Sequence, residues 1–251
     1  MIINICMNFW AMGGAEIGYK RIAAKLSEYE WLFTTEVDSK SDLVIYSNND
    51  KYYHQAKKYN IPTILRTTGP RSYNIVQPLD LAAVICSSKK AYKLSKHPKK
   101  QLIYNGIDFE HLATIKPIKC DILYAPARQG MGQKIEVAAE WARSHNRKLT
   151  CLGDKQHLVE DTATVLRRKY PEVVWTGLVD NNTALGYIRG CNSGIMPTST
   201  HGVSNFIIEC VAADKPIINI GGVEIPDKKD IDLNNTVNSY RLLIENVLKT
   251  K

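Results

Sequence analysis

Residues 194–222 read GIMPTSTHGVSNFIIECVAADKPIINIGG. An apolar run ends at Met196, and a polar loop containing Pro197 and Gly202 follows. A helical pattern then opens near Ser204 and lasts to about Ala213. Asp214 and Lys215 break it, and 216–220 is again apolar and β-branched. Strand, helix and strand in so short a stretch need a crossover connection, so the two strands are parallel.

The same alternation extends outward in both directions. Ahead of this stretch the pattern predicts strands at 121–125, 148–152 and 173–176, with helices at about 132–145, 158–170 and 183–190. Further upstream, strands fall at 2–7, 43–46, 62–66, 82–86 and 101–104. A helix at about 15–29 carries Tyr19, Ile22, Ala23 and Leu26 at helical spacing. A polar stretch at 111–119, containing Pro117, separates the two series. The expected fold is therefore α/β, with two Rossmann-like domains whose parallel sheets face a central cleft. Residues 1–115 form the first domain and 116–235 the second. Residues 236–251 continue a last helix, striped by Val237, Tyr240, Leu243, Ile244, Val247 and Leu248, that packs back on the first domain.

The loop and helix of 197–213 hold the clearest chemistry. Free backbone N–H groups and the positive end of a helix beginning near Ser204 suit an anion. Glu209 sits among Phe206, Ile208 and Val211. A carboxylate with apolar neighbours needs hydrogen-bonding partners, and ribose hydroxyls are suitable ones. A capped helix with a surface Glu has the same pattern.

These residues resemble the donor site of GT-B glycosyltransferases, in particular the retaining glycosyltransferase family 4, or glycosyl transferases group 1. That family carries Glu, seven residues, then a second Glu before a Pro-led strand. Here the frame is His201, seven residues, Glu209 and then CVAADKPIINIGG. The resemblance implies that Glu209 binds the nucleotide ribose, and that His201, in place of the first Glu, faces the donor sugar. Gly202, Val203, Ser204 and Asn205 complete that loop. Gly13 and Gly14, after the first strand, resemble the loop that approaches the diphosphate. Arg128 and Lys134 resemble its cationic clamp. Gly177 and Leu178, within Thr176-Gly177-Leu178-Val179, resemble the turn lining the base pocket. Tyr104-Asn105-Gly106-Ile107-Asp108 resembles the turn that closes the first domain.

On the acceptor side the sequence departs from the family. The strand that often ends in His-Gly ends here in Arg66-Thr67-Thr68-Gly69-Pro70, so Arg66 and Thr68 stand at that site. Lys89, Lys90 and Lys93 open the run KKAYKLSKHPKKQ, which has six lysines and no acid. The implied activity is sugar transfer from a nucleotide-diphosphate sugar, most simply a UDP-sugar, with retention and with no metal or other cofactor. Arg128, Lys134 and His201 would act at the reacting centre. The acceptor is a hydroxymethylated base in DNA, as in phage DNA glucosyltransferases of this architecture, or a glycan or lipid at an anionic membrane. A nucleotide-sugar epimerase and a silent sugar-nucleotide-binding relative are the alternatives.

Composition narrows the remaining classes. The chain has 251 residues, 44% hydrophobic and 23% charged, in the range of globular proteins. Its first ten residues read as a strand and not as a signal peptide, and no apolar run approaches the roughly 18 residues of a membrane span. Six scattered cysteines form no CxxC and imply neither a disulfide framework nor a zinc site, which fits a cytoplasmic protein, membrane-peripheral or phage-encoded. The net charge of +8 is uneven. Residues 1–117 hold 16 Lys+Arg against 10 Asp+Glu, a balance of +6, and the rest hold 17 against 15, a balance of +2. P-loop, GxGxxG and nucleophile-elbow motifs are missing, and the lone Asp230-Ile231-Asp232 lies in a polar stretch.

Overall fold

The computed structural model describes residues 1–7, 14–47, 49–67, 77–125, 132–153, 160–177, 179–197 and 203–250. The chain divides into two compact units. One holds Met1–Asp108 and Pro226–Lys251, and the other holds Phe109–Thr200 and Ser204–Ile225.

In the first unit β1 (Ile2–Cys6), β2 (Glu30–Thr34), β3 (Leu43–Tyr46), β4 (Thr63–Thr67), β5 (Ala83–Cys86) and β6 (Lys100–Leu102) form one sheet in the order β2-β1-β3-β4-β5-β6. Every pairing is parallel. The strands carry apolar side chains on both faces, as a sheet covered twice requires. Ile3, Ile5, Leu43, Ile45, Ile64 and Ile85 meet α1 (Gly14–Lys25) on one side. Cys6, Val44, Tyr46, Leu65, Val84 and Cys86 meet α2 (Lys51–Lys58) and α3 (Lys89–Leu94) on the other.

The expected strands agree with these to within two residues at each end. β2 and α2 are additions. In β2 the burial is only partial, because it is an edge strand, and its apolar run is the short Trp31-Leu32-Phe33 between Glu30 and Thr34. The first helix ends at Lys25, four residues short of the predicted 29, where the chain turns to enter β2.

The turn at Asn105-Gly106-Ile107-Asp108 ties the C-terminal segment to this unit. Ile107 N donates to Ile231 O at 2.9 Å, and Leu233 N donates to Ile107 O at 3.1 Å. A Cβ on Gly106 would stand 2.7 Å from Leu233 Cα, so only glycine lets the segment lie this close. The stretch with Asp230-Ile231-Asp232 is ordered accordingly: Ile231 is buried, and the Asp232 side chain caps the last helix by accepting from Asn234 N at 2.7 Å. From this anchor that helix (Leu233–Lys249), closing the same core, buries Val237, Tyr240, Leu243, Ile244 and Val247 against the α1 side. His97 is buried, with Nδ1 accepting from Lys99 N at 3.2 Å. Burial lowers its pKa from the ordinary histidine value.

The second unit begins with α4 (Phe109–Thr114). Its sheet contains β7 (Cys120–Tyr124), β8 (Leu149–Cys151), β9 (Val174–Trp175), β10 (Cys191–Met196) and β11 (Ile217–Asn219), in the order β11-β10-β7-β8-β9 and all parallel. α5 (Gly132–Ser144) and α6 (Glu160–Lys169) pack on one face through Ile135, Ala138, Ala139, Ala142 and Leu166. α7 (Asn181–Gly190) and α8 (Asn205–Ala212) complete the helices of the unit. Five of the six cysteines are buried, as small apolar side chains in such a core would be.

Asp121, at the start of the central strand β7, accepts from Arg147 Nε at 2.8 Å, Lys148 N at 3.1 Å and Asn192 Nδ2 at 2.9 Å. The Arg147 guanidinium holds its carboxyl well below the usual carboxylate range. α7 comes very close to the segment before β7. A Cβ on Gly190 would stand 2.0 Å from Ile118 O. That neighbour is backbone and cannot rotate away. Gly190→Ala is therefore expected to destabilise the protein by about 1–3 kcal/mol, as overpacked sites do. A urea titration with unchanged midpoint would show that α7 can move off this segment freely.

Candidate nucleotide-sugar site

Each parallel sheet has a topological switch point, where strand order reverses and neighbouring crossovers leave to opposite faces. Ligands of open α/β sheets bind beyond the strand ends at such points. In the second unit the chain runs from β7 through β8 to β9, then returns to place β10 on the other side of β7. The switch point therefore lies between β7 and β10. The loop after β7 leads into α5, whose first turn carries Lys134, and the loop after β10 leads into α8.

α8 opens with a formed N-cap. The Ser204 hydroxyl accepts from Ile207 N at 3.3 Å. Phe206, Ile207, Ile208, Cys210 and Ala212 are buried, whereas Ser204, Asn205 and Glu209 are half-buried. An N-terminal turn of this kind leaves further N–H groups for an anion. The helix is held near the strand by Gly194, where a Cβ would stand 2.8 Å from Cys210 Sγ and 3.1 Å from the Phe206 ring. Sequence reasoning did not find that close approach, since a lone glycine in a strand does not say what lies over it.

Gly177 follows β9 with φ +72°, a left-handed turn suited to glycine, and its carbonyl accepts from Gly153 N at 3.3 Å. Lys134, Gly177, Ser204, Asn205 and Glu209 thus all follow the carboxyl ends of strands of one sheet. Val203, half-buried, directly precedes the cap. Gly13, Thr68, Arg128, Leu178, His201 and Gly202 lie outside the described residues.

In the first unit the switch point falls between β1 and β3, and Gly14 begins the helix that leaves it. Arg66 lies near the carboxyl end of β4, the next strand. Its side chain is 1% exposed and sits over the Tyr19 ring at 4.6 Å from the centroid. Tyr240 meets the same ring edge-on at 6.5 Å between centroids. Among the described residues Arg66 Nε and Nη1 have no hydrogen-bond partner, nor do the Tyr19 and Tyr240 hydroxyls. Nothing in the local sequence separates this arginine from a solvated one. Lys89, Lys90 and Lys93, by contrast, lie exposed on α3 between β5 and the edge strand β6. β6 is the third strand beyond β3, so these lysines stand about 14 Å across the sheet from the switch point.

A search of family models and one of curated proteins each found no match to this sequence. Solved structures do match, over nearly the whole chain. A glycosyltransferase from Rickettsia africae is 13% identical, with a TM-score of 0.70 over 100% of this chain and 99% of that one. Sucrose-phosphate synthase from Thermosynechococcus elongatus is 13% identical, with a TM-score of 0.69 over 99% of this chain and 91% of that one. The fold is that of the GT-B glycosyltransferases. The UDP-GlcNAc 2-epimerase of Methanocaldococcus jannaschii, in complex with UDP-GlcNAc and UDP, is 9% identical, with a TM-score of 0.57 over 97% of this chain and 93% of that one. Among the described residues, no group of His, Cys, Asp and Glu is placed to hold a metal ion.

The stacked arginine leads to a stability prediction. Breaking a paired buried charge costs about 3–5 kcal/mol, whereas replacing buried ions by apolar side chains of similar volume is often neutral or stabilising. Arg66 has no carboxylate partner among the described residues, so Arg66→Met should change unfolding free energy by no more than about 2 kcal/mol, the scale of its stacking on Tyr19. A loss as large as that of a broken ion pair, in a denaturant titration, would mean that the charge is compensated.

Proposed function

We propose that the chain is a glycosyltransferase that moves a sugar from a nucleotide-diphosphate sugar, most simply a UDP-sugar, to an acceptor hydroxyl. The observation that carries this reading is the capped N-terminus of α8 at the β7–β10 switch point, with Glu209 in the second turn. In this reading residues 116–235 supply the donor site and residues 1–115 the acceptor side, and residues 236–251 return to the latter. The reading places the protein in the cytoplasm.

Glu209 accepts the ribose hydroxyls, and the turn at Gly177 and Leu178 lines the base. Arg128, Lys134 and the N–H groups at Val203, Ser204 and Asn205 surround the diphosphate, and Gly13 and Gly14 belong to the same donor-binding set. His201 and Gly202 face the sugar. The acceptor oxygen forms its bond to the anomeric carbon as the bond to phosphate breaks, and its proton passes to the departing phosphate oxygen. Attack from the leaving-group side retains the anomeric configuration. Negative charge grows on the phosphate as it leaves, so fixed cations and N–H donors lower the barrier without a metal. Arg66 and Thr68 lie on the acceptor side with Lys89, Lys90 and Lys93. The acceptor is a glycan or lipid hydroxyl, or a hydroxymethylated DNA base.

The likeness to a UDP-GlcNAc 2-epimerase favours one second reading, isomerisation of the donor in the same pocket. Incubating UDP-sugars with no acceptor separates the two, since only an epimerase converts one sugar nucleotide into another.

Glu209→Ala should weaken nucleoside-diphosphate affinity by about 1.5–3 kcal/mol, the worth of hydrogen bonds to a charged group. Calorimetry that finds unchanged affinity in the folded variant removes Glu209 from the site. Lys134→Ala and Arg128→Ala should each lower kcat more than they lower stability, and EDTA should leave turnover intact. Loss of activity on chelation, restored by magnesium or manganese, would overturn the metal-free clamp.

A further inference from the structure

The edge of the first sheet at α3 and β6 has a surface that the donor site does not use. Lys90, Lys93, Lys96 and Lys99 are exposed there, along a stretch with no acid. The acids that flank it in sequence are both occupied: Asp80 accepts from Tyr53 Oη at 2.6 Å and Lys57 Nζ at 2.8 Å, and Asp108 pairs with Lys25 at 3.5 Å. Lys100, the first residue of β6, is turned toward α3. Its Nζ donates to Tyr92 O at 3.0 Å and Ser95 O at 2.7 Å, closing the end of α3.

Apolar side chains stand out among these lysines. Leu79 is 79% exposed, Leu94 53% and Tyr92 39%. The segment that carries Leu79 is joined to the end of α3 although it is distant in sequence. Ser95 Oγ meets Gln77 Oε1 at 2.6 Å, and the backbone of Leu79 lies against the buried His97 ring. α3 itself buries Ala91 in the core and turns its other side chains outward.

We infer that this edge is a peripheral docking surface for an anionic lipid bilayer. Three observations favour a bilayer over other occupants. Lysines on an edge strand discourage pairing with another chain, which would account for Lys99 but not for exposed leucines beside it. A nucleic acid backbone would meet the lysines equally well, but it gives Leu79 and Leu94 no apolar partner. The boundary between headgroups and acyl chains satisfies both kinds of side chain at once, with aliphatic and aromatic groups below and lysines level with the phosphates. The surface also stands about three strand spacings from the switch point of its own sheet, so docking there leaves that point unoccupied. This inference does not depend on the donor-site reading.

The test is partitioning of the full chain onto vesicles of phosphatidylcholine with and without phosphatidylglycerol, followed by sedimentation. Binding should require the anionic lipid and weaken as salt is raised. Each lysine at such a surface contributes about fivefold, so Lys93→Glu, Lys96→Glu and Lys99→Glu together should reduce partitioning by on the order of a hundredfold or more. Leu79→Ser with Leu94→Ser should reduce it by about tenfold or more while leaving the charge unchanged. All five positions are exposed, and an unchanged thermal midpoint confirms that each variant is folded. Duplex DNA serves as the comparison polyanion. The inference is overturned by failure of the parent to bind anionic vesicles, or by vesicle binding that the leucine variant leaves intact. DNA binding tighter than vesicle binding, and indifferent to the leucines, would make the surface one for nucleic acid. Nucleotide affinity measured in solution on the same variants reports separately on the donor site.

Discussion

Parallel strands cannot be joined by a tight turn. Each must be followed by a crossover long enough to carry the chain back to its starting edge. Among the described residues all nine pairings between the named strands are parallel, and the consequences extend through both units. Helices must cover both faces, so Ile3, Ile5 and Ile45 are buried on one side of the first sheet and Val44, Leu65 and Val84 on the other. All carboxyl ends of a sheet come to one edge, so the loops that follow them collect there. The hydrophobic cost of leaving either face open makes this arrangement self-consistent.

Given that constraint, close backbone approach decides which helices lie tightly enough to position a site. Gly194 brings α8 onto β10, Gly190 brings α7 onto the segment before β7, and Gly106 admits the start of the C-terminal helix. None of the three needs an unusual backbone angle; each is a place where a methyl group would strike a neighbour. The turn at Ile107 adds a pair of backbone hydrogen bonds to Ile231 and Leu233. Those bonds join residues more than a hundred positions apart in the sequence, and they make the final helix part of the first unit's core.

Polar groups in that core are treated in two ways. Asn4 is buried but satisfied: its amide nitrogen donates to Thr34 Oγ1 at 2.7 Å and its oxygen accepts from Asp38 N at 2.9 Å. Arg66 is buried on a ring face, with two guanidinium nitrogens unpartnered among the described residues. A buried charge without such partners is costly. Its position near the end of β4, one strand from the switch point, is where a binding protein can hold such a group ready for a ligand.

Local pattern alone determined the element types. Short apolar, β-branched runs marked nine of the strands to within two residues at each end, and Glu209 and the Asn105-Gly106-Ile107-Asp108 turn were visible within ordered patterns. Ser204 was readable as a helix start because capping is a property of a few neighbouring residues. β2 escaped because an edge strand is half-exposed and its apolar run is only three residues long, and the burial of His97 comes from the backbone of Leu79 and Leu81, more than fifteen residues away. The tertiary structure decided what depends on strand order: the switch point that sets Lys134 and α8 at neighbouring strand ends, the burial of Arg66 over Tyr19, and the joining of the Gln77–Leu79 segment to the end of α3. Strand order and long-range packing are set by competition among many distant apolar contacts, and no window of sequence contains both sides of such a contact.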